Sequence, residues 1–229
     1  MEGTEVRKLA ELEGKHWWYA ERRHLLAAAI KDITPGLAAD IGAAGGGNTR
    51  VLVKHGWRAV ALEYGQDGAG VCKERGLAVA RADATRLPLK DNSLDLITAF
   101  DVLEHIEDDD AAVQEIRRVL RPSGTFLIAV PADPRLWSAH DVAVDHVRRY
   151  TRETMLDLLQ RNNITVQDCA SWNVLLRPVV AARRHKSAGS DLTEMNPVVN
   201  AALRGIVIAE RYLPVKKLPG VSLMVRARV

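Results

Sequence analysis

At 229 residues, with 47% hydrophobic and 27% charged side chains, the chain falls in the globular range and outside the disordered, collagen-like and disulfide-scaffold classes. Its 32 basic and 29 acidic residues are interspersed and leave a net charge of only +3, which argues against nucleic acid as a partner. The start lacks an apolar run, no stretch approaches the ~18 apolar residues of a membrane span, and Cys72 and Cys169 stand apart from any Cys-x-x-Cys spacing. Neither a signal peptide nor a membrane segment is expected, and a reducing cytoplasm is the expected setting.

Thr4 to Lys31 reads as helical and packs His16-Trp17-Trp18-Tyr19 against Glu21-Arg22-Arg23-His24. After the turn Thr34-Pro35-Gly36 comes a strand, Leu37 to Ile41, a glycine-rich turn, and a helix from Asn48. A second strand, Arg58 to Leu62, ends at Glu63; helix Ala69 to Arg75 follows, then strand Ala78 to Ala82 ending at Asp83. A fourth strand, Leu94 to Phe100, ends at Asp101, helix Asp109 to Leu120 follows, and Thr125 to Val130 is a fifth strand. This alternation predicts an α/β protein: a Rossmann-like, doubly wound and mostly parallel sheet. Beyond Pro131 we expect a loop to His146, helices at Arg152 to Asn162 and Pro197 to Tyr212, an apolar segment Trp172 to Ala182, and a terminal strand, Val221 to Val225. The expected organisation is one domain: residues 1–33 as a helical cover, 34–131 as the cofactor-binding core, and 132–229 as acceptor loop and lid.

In open parallel sheets, ligands lie beyond the carboxyl ends of the strands, so Asp40, Glu63, Asp83 and Asp101 are expected to face one crevice. The turn Gly42-Ala43-Ala44-Gly45-Gly46-Gly47 has little side-chain bulk and admits a ligand close to the backbone. With Gly42, Ala44 and Gly47 in small-residue positions and Glu63 about twenty residues on, it also fits a dinucleotide fingerprint. An NAD(P)-dependent oxidoreductase and a non-catalytic adenosine-cofactor protein therefore stay open on the local motif.

Four ordered blocks carry a more specific resemblance: Asp40-x-Gly42-x-Ala44-x-Gly46 with Glu63; Asp83-Ala84-x-x-Leu87-Pro88-x-x-Asp91-Asn92-Ser93-Leu94-Asp95; Asp101-Val102-Leu103-Glu104-His105; and Leu120-Arg121-Pro122-Ser123-Gly124. This pattern is similar to class I S-adenosylmethionine-dependent methyltransferases. The resemblance implies that the glycine turn passes under the methionine part of the cofactor and that Glu63 takes the ribose hydroxyls, a task suited to an acceptor-only carboxylate. It further implies that Asp83 and the Ala84 N–H hold the adenine, with Leu62, Tyr64 or Leu87 on its faces, and that Asp101 lies near the cationic end. The family usually has glycine where this chain has Ala44.

Methyl transfer to a hydroxyl needs alignment and removal of a proton. Candidates cluster in Ser138-Ala139-His140-Asp141-x-x-x-Asp145-His146-Val147-Arg148-Arg149-Tyr150: His146 as general base, His140 second, and Asp145 or Asp141 as the orienting carboxylate. His105 is a further candidate. His140, Asp141, Asp145 and His146 also offer ligands for a divalent cation such as Mg²⁺. The His-x-Arg-Arg-Tyr string, the His16-Trp17-Trp18 opening and Leu218-Pro219-Gly220-Val221-Ser222-Leu223 resemble a subgroup acting on glycans and lipid-linked sugars, which implies a small-molecule or glycan acceptor. Arg outnumbers Lys 23 to 9, a bias of GC-rich genomes that suits a bacterial envelope or polysaccharide acceptor. The run Arg183-Arg184-His185-Lys186 beside apolar Val174 to Val180 offers a peripheral contact with anionic lipid.

Overall fold

The computed structural model describes residues 7, 10–184 and 195–229. Its elements are α1 (Trp17–Ala29), β1 (Leu37–Ile41), α2 (Gly47–Lys54), β2 (Arg58–Glu63), α3 (Gln66–Glu74), β3 (Val79–Arg81), β4 (Leu94–Phe100), α4 (Asp109–Val119), β5 (Leu120–Pro131), α5 (Ala139–Ala143), α6 (Arg152–Arg161), β6 (Thr165–Trp172), α7 (Arg177–Arg184), α8 (Pro197–Glu210) and β7 (Ser222–Arg228). The strands form one seven-stranded sheet in the order β3-β2-β1-β4-β5-β7-β6, parallel from β3 to β5 and antiparallel at β5·β7 and β7·β6. This is the Rossmann-like doubly wound sheet expected from the alternation of strands and helices.

The core lies on both faces of β1, β4 and β5. One layer packs Ile97, Ile128 and Phe126 against Ile116 and Val113 of α4, and the other packs Leu96 and Leu127 against Leu26 of α1 and Leu52 of α2. Strands covered on both faces read as near-continuous apolar runs, which is why β4 and β5 are legible in sequence.

Three expectations change. The N-terminal helix breaks in a turn before His16, whose side chain accepts from the Trp18 N–H and starts α1 afresh. The last third contributes two paired strands to the sheet as well as covering elements, and β6 begins before the apolar segment read at Trp172. The third change is Asp40, which turns into the protein. It is 1% exposed and accepts from the hydroxyls of Thr49 (2.7 Å) and Thr98 (2.6 Å), tying β1 to α2 and β4 instead of facing the crevice. A parallel strand alternates faces, so its last acid points wherever the register sends it.

Burial pushes the Asp40 carboxyl up to about 6, against the pull of the two threonine hydroxyls. A raised folded pKa favours the protonated group, so this contribution to stability is present at low pH and lost as pH rises through about 6. Urea denaturation of Asp40→Asn and wild type at about pH 5 and about pH 8 should show the variant gaining relative stability at the higher pH, by on the order of 1–2 kcal/mol.

Candidate active site

The turn after β1 is built from backbone conformations that side chains resist. Gly42 and Gly46 have φ of 64° and 80°, and a Cβ there would strike Val102 and Leu77 respectively. Ala44 also lies in the left-handed region, at φ 46°, so the alanine stands where the backbone favours glycine. Its N–H donates to Glu63 Oε2 at 2.7 Å, while the Gly65 N–H donates to Oε1 at 2.8 Å. Glu63 thus binds the glycine turn to the end of β2 and retains acceptor lone pairs.

Asp83 is exposed and accepts from the Thr85 N–H (2.8 Å) and hydroxyl (2.7 Å), both on Oδ1, and these bonds hold its carboxyl below its usual range. Ala84 is buried at the next position. Of the three expected adenine-facing side chains, Leu62 and Leu87 pack in the main core and only Tyr64 stands out from the surface, 71% exposed.

A cavity of about 360 Å³ is bounded in part by the glycine turn at Gly42, Ala43 and Ala44. Trp17, Trp18, Phe100, Leu176 and Leu203 give it apolar walls, and Asp101, Glu104, His105, His140 and His146 give it a polar one. Of the four strand-end acids only Asp101 lines it. The single crevice expected for all four is instead a cavity with Asp101, an outer surface with Glu63 and Asp83, and a buried Asp40.

Asp101 takes φ 58° and accepts from Arg22 at 2.5 Å. Arg22 is 3% exposed and lies over the rings of Trp18 (4.6 Å) and Trp172 (4.8 Å), which also meet each other at 5.8 Å, so a guanidinium from α1 packs on an aromatic pair drawn from α1 and β6. Withdrawal from water raises the Asp101 carboxyl although Arg22 pulls it down. This is how the His16–Trp18 stretch earns its place: α1 forms part of the cavity as well as covering the sheet.

The histidines are positioned by a fully buried carboxylate. Asp141 Oδ1 lies 2.9 Å from His146 Nδ1 and 2.7 Å from Arg149, and Oδ2 accepts from the Ser138 N–H at 2.9 Å and Arg184 at 3.1 Å. Burial opposes ionisation of Asp141, but His146 and the two guanidiniums hold its carboxyl well below the usual range. Of the two candidates for the orienting role, Asp141 fills it. Asp145 is exposed, sits at φ 59°, and offers its backbone carbonyl to His105 Nδ1 at 3.1 Å. The His-x-Arg-Arg-Tyr string is the frame around His146: Arg148 pairs with Asp109 at 2.8 Å, Arg149 with Asp141, and Tyr150 donates to Asp109 at 2.8 Å.

Glu104 was not among the expected site residues, yet it is 0% exposed, lines the cavity, and lies 3.8 Å from His146 Nε2. Burial, reinforced by Asp101, raises its carboxyl well above the usual range. The expected cation ligands do not come together as a set, since Asp141 is committed to two arginines; among the described residues the group with converging ligand atoms is Glu104, His105 and His146, all within 4.8 Å. His185 and Lys186 of the basic run lie outside the described residues. Arg183 and Arg184 line the cavity, and no described helix is long and apolar enough to cross a membrane.

A parallel sheet with a left-handed glycine turn at the carboxyl end of β1 and an acid at the end of β2 defines a Rossmann-like nucleotide-cofactor protein. Comparison with known proteins narrows the class. Residues 39–128 match the family model described as a methyltransferase domain. A protein of Mycolicibacterium smegmatis described as a probable S-adenosylmethionine-dependent methyltransferase is 31% identical over 117 residues, 48% of this chain and 45% of that one. The ubiquinone biosynthesis O-methyltransferase of Methylococcus capsulatus is 28% identical over 168 residues, 70% of this chain and 65% of that one. The chain thus spans between about half and two thirds of these relatives. The crystal structure of an S-adenosylmethionine-dependent methyltransferase from Archaeoglobus fulgidus has the same fold, with a TM-score of 0.63 at 17% identity over 90% of this chain and 94% of that one. The 4+2 cyclase SpnF shares it too, at a TM-score of 0.61 and 18% identity over 92% and 82% of the chains, so the fold alone does not name the reaction. Residues 39–128 are thus similar to a methyltransferase domain, and the chain shares its fold with a solved S-adenosylmethionine-dependent methyltransferase.

Removing Arg22 takes the ion-pair partner from Asp101 in the cavity lining and the guanidinium from the faces of Trp18 and Trp172. Arg22→Leu should lower unfolding stability by about 3 kcal/mol or more in chemical denaturation, whereas Arg7→Ala, which deletes an exposed pair with Glu74, should leave it unchanged.

Proposed function

We propose that the protein transfers a methyl group from S-adenosylmethionine to a hydroxyl oxygen of a small-molecule acceptor with a flat, largely apolar face, such as a sugar, a short oligosaccharide or a phenolic ring. The observation that carries this reading is the cavity itself, whose lining joins the glycine turn, Asp101, the histidine cluster and two tryptophans. Flat rings stack on tryptophan, and hydroxyls then turn toward the polar wall.

The residues present fit the cofactor. The small-residue turn Gly42 to Gly46 allows close backbone approach, Glu63 keeps lone pairs for two ribose hydroxyls, and Asp83, the Ala84 N–H and the exposed ring of Tyr64 are available to the adenine. Asp101 supplies negative charge at the cavity floor, suited to a cationic sulfur. When bound, S-adenosylmethionine supplies an electrophilic methyl group and is left as S-adenosylhomocysteine.

The chain's own task is to align an acceptor oxygen and activate it. A carboxylate only accepts hydrogen bonds, so His146 Nδ1 must be the donor to Asp141, and the ring's lone pair lies on Nε2. Nε2 is the nitrogen turned toward Glu104 and the cavity. We assign activation of the acceptor hydroxyl to that lone pair. His140, its ring 6.3 Å from that of His146, stands second on the same wall.

Isothermal calorimetry with S-adenosylhomocysteine should show binding to wild type and at least about tenfold weaker binding to Glu63→Ala and Asp83→Ala, since each substitution leaves a donor of the nucleoside unmatched. His146→Ala should keep that binding while lowering turnover of a hydroxyl acceptor by about 10²–10⁴-fold. Absence of binding by folded wild type contradicts the reading. Sugar and phenol acceptor panels, assayed separately, decide between the two ring classes.

A further inference from the structure

Glu104 is an anomaly that the methyl-transfer chemistry does not explain. Its side chain is completely buried, and neither carboxylate oxygen accepts a hydrogen bond from another described residue. A carboxyl group in that state carries the desolvation penalty without the compensation that buried acids ordinarily find. His146 Nε2 stands 3.8 Å from it, beyond hydrogen-bond reach, and the His105 ring stands 4.8 Å from that of His146.

Both imidazoles are fixed in the same sense. His146 Nδ1 faces the Asp141 carboxylate and His105 Nδ1 faces the Asp145 backbone carbonyl, and neither of those groups can donate. Each ring therefore carries its hydrogen on Nδ1 and an unshared pair on Nε2. An outer acceptor that orients the ring and sets the tautomer is the usual support behind a metal-ligating histidine.

We propose that Glu104, His105 and His146 form a binding site for a divalent transition-metal ion of the zinc type, with its remaining coordination position open to the cavity. The three ligand atoms already lie within 4.8 Å of one another. Bonds of about 2.0–2.2 Å in tetrahedral geometry separate ligands by roughly 3.3–3.6 Å, so side-chain adjustments that shorten the longest separation by on the order of 1.2–1.5 Å close the set. Two nitrogens and one carboxylate suit zinc, cobalt or iron; magnesium and calcium prefer oxygen ligands alone. Three protein ligands with one open position is the pattern of zinc sites that act on a bound oxygen.

The ion would neutralise Glu104, and with the His146 Nε2 lone pair taken up in coordination the ion would replace that lone pair in activating the acceptor hydroxyl. An acceptor hydroxyl in the open position is acidified and releases its proton to solvent more readily. That role rests on the reading of this cavity as the acceptor site, whereas ion binding stands on the cluster alone.

The test is calorimetric titration of chelator-stripped full-length protein with Zn²⁺, paralleled by Co²⁺ with its visible absorption recorded. The inference expects one ion per chain, a Co²⁺ ligand-field spectrum, and at least about 100-fold weaker binding in both His105→Ala and Glu104→Gln. His105 is exposed, so its variant keeps the question open to decision should Glu104→Gln fail to fold. Absence of binding by folded wild type, or equal binding by wild type and His105→Ala, overturns it. The same stripped protein is titrated with S-adenosylhomocysteine. Nucleoside binding without metal binding removes the ion and leaves the methyl-transfer reading, and metal binding without nucleoside binding does the reverse.

Discussion

The histidine-bearing wall of the cavity depends on a single buried carboxylate. Asp141 is 0% exposed and accepts from His146, Arg149, Arg184 and the Ser138 backbone, which lie on the loop after β5, at its return toward α6, and on α7. An ion this deep is tolerable only with its lone pairs satisfied and its charge matched, so each partner is held in place by the cost of leaving it. His146 inherits its tautomer from this arrangement, and the cavity wall inherits its shape. Arg22 plays the matching part on the other side, where its stacked guanidinium fixes Asp101 and joins α1 to the end of β4.

The two halves of the site answer to different physics. The glycine turn and Glu63 form a rigid edge in which backbone conformation admits only small residues and a carboxylate gathers two backbone N–H groups. Little there depends on distant parts of the chain. The cavity wall is assembled from α1, the segment after β4, the loop after β5, α7, α8 and the start of β7. Its low polarity strengthens every electrostatic contact inside it, which makes the paired Asp141 stable and the unpaired Glu104 informative.

That division explains what was legible in the sequence. The core strands show as apolar runs because both faces are covered, and the glycine turn, Glu63 and Asp83 show because their spacing is local. Asp40 was misread because an acid at a strand end looks the same whether it faces a ligand or a pair of threonine hydroxyls. β6 was missed because Thr165-Val166-Gln167-Asp168 is an exposed edge segment with a polar composition. His146 was legible as a candidate, but Asp141 could not be preferred over Asp145, since only the fold reveals which of them meets Arg149. Glu104 stood in plain view beside His105, three residues after Asp101. Its complete burial, the property that singles it out, arises from long-range packing that no local pattern encodes.

The central claim is that one cavity joins a cofactor edge at β1 and β2 to an acceptor wall at Asp101, Glu104 and His146. A crystal structure of the complex with S-adenosylhomocysteine tests it most directly. The account predicts ribose hydroxyls on Glu63, adenine beside Asp83 and Tyr64, and the thioether sulfur at the glycine turn, directed into the cavity toward Asp101 and His146. A nucleoside bound elsewhere, or a sulfur directed away from that wall, would contradict it.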